Sequence, residues 1–103
     1  MELPIVGCRL DANGLRLQRD RYRQLGLSAE AIEREEGTLN VRFATGLDAD
    51  LLRETIAIET DCCPFFRFDY QPHSRLLRIG VERADQAPAL DALAHALGAG
   101  EGR

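Results

Sequence analysis

Leu39, Val41 and Phe43 alternate with Asn40 and Arg42, and this two-residue period predicts a strand with one buried and one wet face. Residues 32–36 come before it. Gly37-Thr38 supplies a turn, so the two runs read as a hairpin. The same period returns where Phe66, Phe68 and Tyr70 alternate with Arg67, Asp69 and Gln71. It returns again where Leu77, Ile79 and Val81 alternate with Arg78, Gly80 and Glu82. Pro72-His73-Ser74 is the turn between those two runs.

Helical spacing fills the gaps. Leu15, Tyr22 and Leu25 share one face of a first helix that Asp11 can cap and Gly26 can end. Asn13-Gly14 is also a hairpin signal, but the spacing favours the helix. Leu51, Leu52, Ile56 and Ile58 give an apolar side to a central helix. Asp48 and Asp50 open it, where negative charge suits the helix dipole. Pro64 ends it near Cys63, because the residue before a proline disfavours helical backbone. Leu90, Leu93, Ala94 and Leu97 line a last helix with Pro88 in its first turn and Gly98 at its end. Residues 3–10 read as an extended lead-in or a short strand.

The predicted order is α-β-β-α-β-β-α. Two hairpins forming a four-stranded antiparallel sheet, with helices packed on one face, make an α+β fold. Residues 1–97 read as one domain and 98–103 as a flexible tail.

Composition narrows the function more than the fold. The 103 residues carry a net charge of −4, whereas nucleic-acid-binding domains are usually basic. No nucleic-acid partner is expected, and the arginines at 16, 19, 21 and 23 read as a solvated face. No apolar run is long enough for a membrane span. The N-terminal residues lack the basic and apolar regions of a secretory signal. With three cysteines, the chain reads as a reduced, cytoplasmic protein.

The chemistry concentrates at Glu59-Thr60-Asp61-Cys62-Cys63-Pro64-Phe65-Phe66. Glu59 stands three residues before Cys62 and four before Cys63, so all three share neighbouring helix surface. Ile56 and Leu52 lie on the same stripe and place the carboxylate at the edge of the core. Two thiolates beside a carboxylate suit a soft or borderline ion such as mercury, copper(I) or zinc. Cys8 would add a third sulfur if the N-terminal segment lies against the end of this helix. A thiol-redox protein is a further reading. It is disfavoured by the helix C-terminus and by Glu59 and Asp61, all of which oppose a thiolate. Core packing is the plain alternative, since free cysteine is among the most buried residue types.

Cys8-Arg9-Leu10, the arginine-rich first helix, Leu39-Asn40-Val41-Arg42-Phe43 and Glu59-x-x-Cys62-Cys63-Pro64-Phe65-Phe66-x-Phe68 together resemble a group of small, largely uncharacterised bacterial proteins. Genes of this group often lie near metal-resistance or metal-sensing genes. The resemblance implies Cys8, Cys62, Cys63 and Glu59 as the functional residues. Cys62 and Cys63 would be primary ligands, Cys8 the third, and Glu59 an outer-shell partner or proton acceptor. It implies no established reaction; binding without catalysis, with a metal-handling protein as partner, is the expectation.

Three readings therefore lead to different expectations. Soft-ion binding requires the Cys8 sulfur within a few ångströms of Cys62 or Cys63 and an open path for the ion. Packing places the sulfurs apart in apolar surroundings, in a dimeric interaction domain that uses sheet edges or aromatics such as Tyr22, Phe65 or Tyr70. Redox activity requires one exposed sulfur beside a cation.

Overall fold

The computed structural model describes residues 11–98, and within them the predicted element order is present. Helix α1 spans Ala12–Gly26, strands β1 and β2 span Ala29–Glu35 and Thr38–Phe43, and helix α2 spans Ala49–Cys62. Strands β3 and β4 span Phe66–Gln71 and Leu76–Val81, and helix α3 spans Ala87–Ala96 after a 3-10 turn at Ala84–Gln86. Cys8 and the predicted lead-in lie outside the described residues, as does the tail from 99 onward.

Local chemistry sets the boundaries. Asp11 accepts a hydrogen bond from the Gly14 amide at 2.7 Å and caps α1, so Asn13-Gly14 sits inside a helical turn rather than a hairpin. Asp48 caps α2 in the same way through the Leu51 amide at 3.1 Å. Gly37 adopts a left-handed φ of 71° between β1 and β2, a conformation glycine takes without steric cost. β1 begins at Ala29, three residues earlier than the apolar period implies, and its register against β2 shifts between Ala29 and Ala31. Its opening residues Ala29, Glu30 and Ala31 carry no strong apolar alternation, and that hides the start of the strand.

The sheet order is β1-β2-β4-β3, and all neighbours are antiparallel. Ile32, Val41, Leu77 and Tyr70 form one row across it. Arg34, Leu39, Ile79 and Phe68 form the next row. Leu39, Val41, Phe43, Leu77 and Ile79 are buried in one core with Leu90, Leu93 and Leu97 of α3 and Leu52 of α2. Arg34, at the sheet edge, ion-pairs with Asp91 of α3 at 2.8 Å and also donates to the Ala87 carbonyl. Asn40, Arg78 and Asp69 line up on the opposite, polar face. α1 packs on α2 and α3, and this places the buried stripe of α1 over the C-terminal half of α2. Among the described residues, no helix is long and apolar enough to cross a membrane.

Candidate functional site

The buried positions of α2 are Leu52, Thr55, Glu59 and Cys62, a three-and-four spacing that marks one helix face. Two of these four are polar. The buried positions of α1 are Gln18, Tyr22, Leu25 and Gly26, and they too begin with polar side chains. Where the two stripes meet, a polar cluster forms inside the core.

Glu59 is its centre. It is 1% exposed, so its placement is deeper than the core edge expected from sequence. The Tyr22 hydroxyl donates to Oε1 of Glu59 at 2.8 Å. The Gln18 Nε2 donates to the same oxygen at 3.2 Å and to the Thr55 carbonyl at 3.0 Å. Arg21 donates to Gln18 Oε1 at 2.9 Å, which fixes the amide with its nitrogen toward Glu59. Thr55 Oγ1 bonds back to the Leu51 carbonyl at 2.7 Å. Every buried side-chain nitrogen or oxygen among the described residues has a partner.

The two cysteines follow at the helix end. The Cys63 amide donates to the Glu59 carbonyl at 2.7 Å. Cys63 then leaves helical geometry at φ −130°, ψ 79°, as the following Pro64 requires. Cys63 is 0% exposed and Cys62 is 3% exposed. Their sulfurs are 3.6 Å apart. That is contact without a bond between them, since a disulfide needs about 2.05 Å. Cys63 is a free thiol, and it donates to the Cys62 sulfur. Cys62 is disulfide-bonded, whereas the sequence reading expects free thiols throughout. Outside the core, Cys62 borders an open groove of about 550 Å³, lined also by Leu17, Arg21, Ile58 and Asp61.

Sequence reasoning thus places Glu59, Cys62 and Cys63 together correctly. It places Tyr22 on the apolar face of the first helix, where it is buried at 4%, but misses its bond to Glu59 and misses Gln18; the contact role that the interaction-domain reading gave an exposed Tyr22 does not fit this burial. Gln18 leaves a detectable trace. An apolar stripe through Leu15, Tyr22 and Leu25 has a helical position open at 18, and a polar residue there signals a buried hydrogen bond. His73 and His95 are both exposed and distant in role from this cluster. Among the described residues, no group of three or more His, Cys, Asp or Glu is placed to hold a metal ion. Cys8, the expected third sulfur, lies outside them.

Burial pushes the Cys63 thiol well above its ordinary range, and the Glu59 charge and its hydrogen bond push it further. Burial likewise raises the Tyr22 phenol, with Glu59 and Cys63 adding to the effect and Gln18 opposing it. Both groups hold protons in the folded state at pH values where the unfolded chain releases them, which for a thiol begins near 9.0. Stability must then fall as pH rises through and beyond that value. Urea melts taken from neutral pH to about pH 10 should show a progressive fall in midpoint. Cys63→Ala should make that fall shallower. An equal slope in the variant would contradict the burial effect.

No family model matches this chain, and no curated protein or solved structure matches it.

Proposed function

We propose that the reduced chain binds a soft metal or metalloid ion through the thiolates of Cys62 and Cys63, without catalysing a reaction. The observation that carries this is the 3.6 Å separation of the two sulfurs. Zinc–thiolate bonds are about 2.3 Å long, and two of them at a tetrahedral angle separate their sulfurs by about 3.8 Å. The pair therefore already has close to the bite of a three- or four-coordinate ion. It is too narrow for a linear dithiolate, so a third donor is needed, and Cys8 takes that role. Mercury, copper(I) and zinc fit the donor set, and a cytoplasmic setting would keep Cys62 reduced for them.

Titrating the reduced protein with mercury(II), copper(I) and zinc(II), followed by thiolate charge-transfer absorption and native mass spectrometry, tests this reading. One ion per chain, with binding weakened in Cys8→Ser, Cys62→Ser and Cys63→Ser alike, is the expected result. Folded protein that takes up none of the three would end the proposal.

One observation favours a second reading, thiol–disulfide exchange. Cys62 is disulfide-bonded and borders the groove with Arg21. The free Cys63 thiol beside it faces an anion and is held protonated, which makes it a poor attacking group. The ion-binding reading therefore stands first.

A further inference from the structure

We propose that the outer edge of β3 is a homodimer surface, where a second copy of this chain adds its own β3 antiparallel to the first. Among the described residues the sheet ends at β1 on one side and at β3 on the other. An edge strand offers its unpaired amides and carbonyls to any chain that can reach them. The two edges are not equivalent. β1 carries exposed Glu30, Glu33 and Glu35, and its register against β2 shifts between Ala29 and Ala31. Like charges and an irregular register both keep an edge from pairing. β3 has neither. Its register against β4 runs unbroken from Phe66 to Gln71, and its side chains alternate aromatic and polar.

Backbone direction decides which groups are on offer. In an antiparallel ladder, alternate residues turn amide and carbonyl toward the neighbouring strand, and the rest turn theirs away. The Glu82 amide donates to the Phe65 carbonyl at 3.2 Å, so Arg67, Asp69 and Gln71, in step with Phe65, bond toward β4. Phe66, Phe68 and Tyr70 point outward. The Phe66 amide is taken by the Cys63 carbonyl at 3.2 Å. The Phe66 carbonyl and both backbone groups of Phe68 and Tyr70 are left at the edge.

Charge then selects the register and the partner. Arg67 and Asp69 are exposed on the open face of the sheet. Arg67 lies 3.7 Å from Glu82 with its side chain 71% exposed, a loose surface pair that leaves the guanidinium available. With Phe68 on a two-fold axis, Arg67 of each copy stands opposite Asp69 of the other. These are the non-hydrogen-bonded positions, where facing side chains come closest. Moving the axis to Arg67 sets arginine against arginine, and moving it to Asp69 sets aspartate against aspartate. Like charges directly opposite are destabilising. In the favoured register each Phe68 amide donates to the other copy's Phe68 carbonyl, and each Tyr70 amide to the other's Phe66 carbonyl. On the helix-covered side, the half-buried rings of Phe68 and Tyr70 already pack against the core, and the second copy extends that packing. A strand that reads aromatic, arginine, aromatic, aspartate, aromatic is its own complement. The pairing uses no cysteine and does not depend on the ion-binding reading.

Sedimentation equilibrium of the full chain, from micromolar to millimolar concentration, should show a monomer–dimer equilibrium that persists with reductant. Arg67→Asp and Asp69→Arg each set like charges opposite one another and should raise the dissociation constant about tenfold or more. Mixed together, the two variants should form a heterodimer, because each supplies the charge the other lacks. A damaged fold would not give that rescue. Monomer at every concentration would overturn the proposal. So would a dimer that reductant abolishes, a dimer indifferent to both substitutions, or weakening without rescue on mixing. Amide hydrogen exchange reads the same contact: the Phe68 and Tyr70 amides should gain protection as concentration rises. Protection equal at all concentrations would mean that the chain covers this edge itself, and would count against a second copy.

Discussion

Gly26→Ala is expected to destabilise the protein by about 3 kcal/mol or more, near the upper end for overpacking a buried site. A methyl group at this position would stand 1.9 Å from the Leu97 carbonyl oxygen and 2.7 Å from its carbon. Both are backbone atoms, so no side chain can rotate away. Only a shift of α3 against α1 could make room, and α3 carries Leu90, Leu93 and Leu97 into the core. The sign is informative. In an exposed helix interior the same change would stabilise by about 1 kcal/mol, since alanine favours helix over glycine. Gly46 provides the control. It has open space around it and no left-handed φ, so Gly46→Ala should stay within about 0.5 kcal/mol of wild type. Urea denaturation of the two variants separates the cases. Equal, small effects at both sites would mean the α1–α3 contact yields easily.

Gly26 also shows where sequence reading runs out. Its role as a helix stop is legible, because a glycine after an apolar period is a strong punctuation mark. Its role as a contact surface for α3 is not, because no local pattern reports which element crosses seventy residues later. The same division holds for the fold. Strands β2, β3 and β4 and all three helices are legible because each has a clean period and a chemical boundary: Asp11, Asp48, Pro64, Pro88. The start of β1 is hidden because Ala29, Glu30 and Ala31 give no strong alternation. At the site, Glu59, Cys62 and Cys63 are legible together because helix spacing alone makes them neighbours. Tyr22 and Gln18 are not, because their link to Glu59 crosses between helices. An exposed tyrosine and a buried one with its hydroxyl satisfied look alike in sequence.

Glu59→Leu is expected to cost about 3 kcal/mol, although it replaces a buried charged residue with an apolar one. The loss comes from what the carboxylate leaves behind. The Tyr22 hydroxyl loses its acceptor, Gln18 loses one of its two, and each orphaned buried donor costs about 1–3 kcal/mol. Set against this is the relief of no longer burying a carboxylate whose hydrogen-bond partners are Tyr22 and Gln18, neither of them a cation. Which of these effects wins depends on whether the donors remain. If all three members become apolar, as in Gln18→Leu with Tyr22→Phe and Glu59→Leu, no donor is orphaned and the desolvation relief remains. Apolar replacement of a buried polar network is often neutral or stabilising. The triple variant should therefore recover most of the loss and melt within about 1 kcal/mol of wild type. Such recovery would mean that this network contributes little net stability to the fold. Losses that simply add, leaving the triple variant worse than Glu59→Leu alone, would instead make Gln18, Tyr22 and Glu59 a structural tie between α1 and α2.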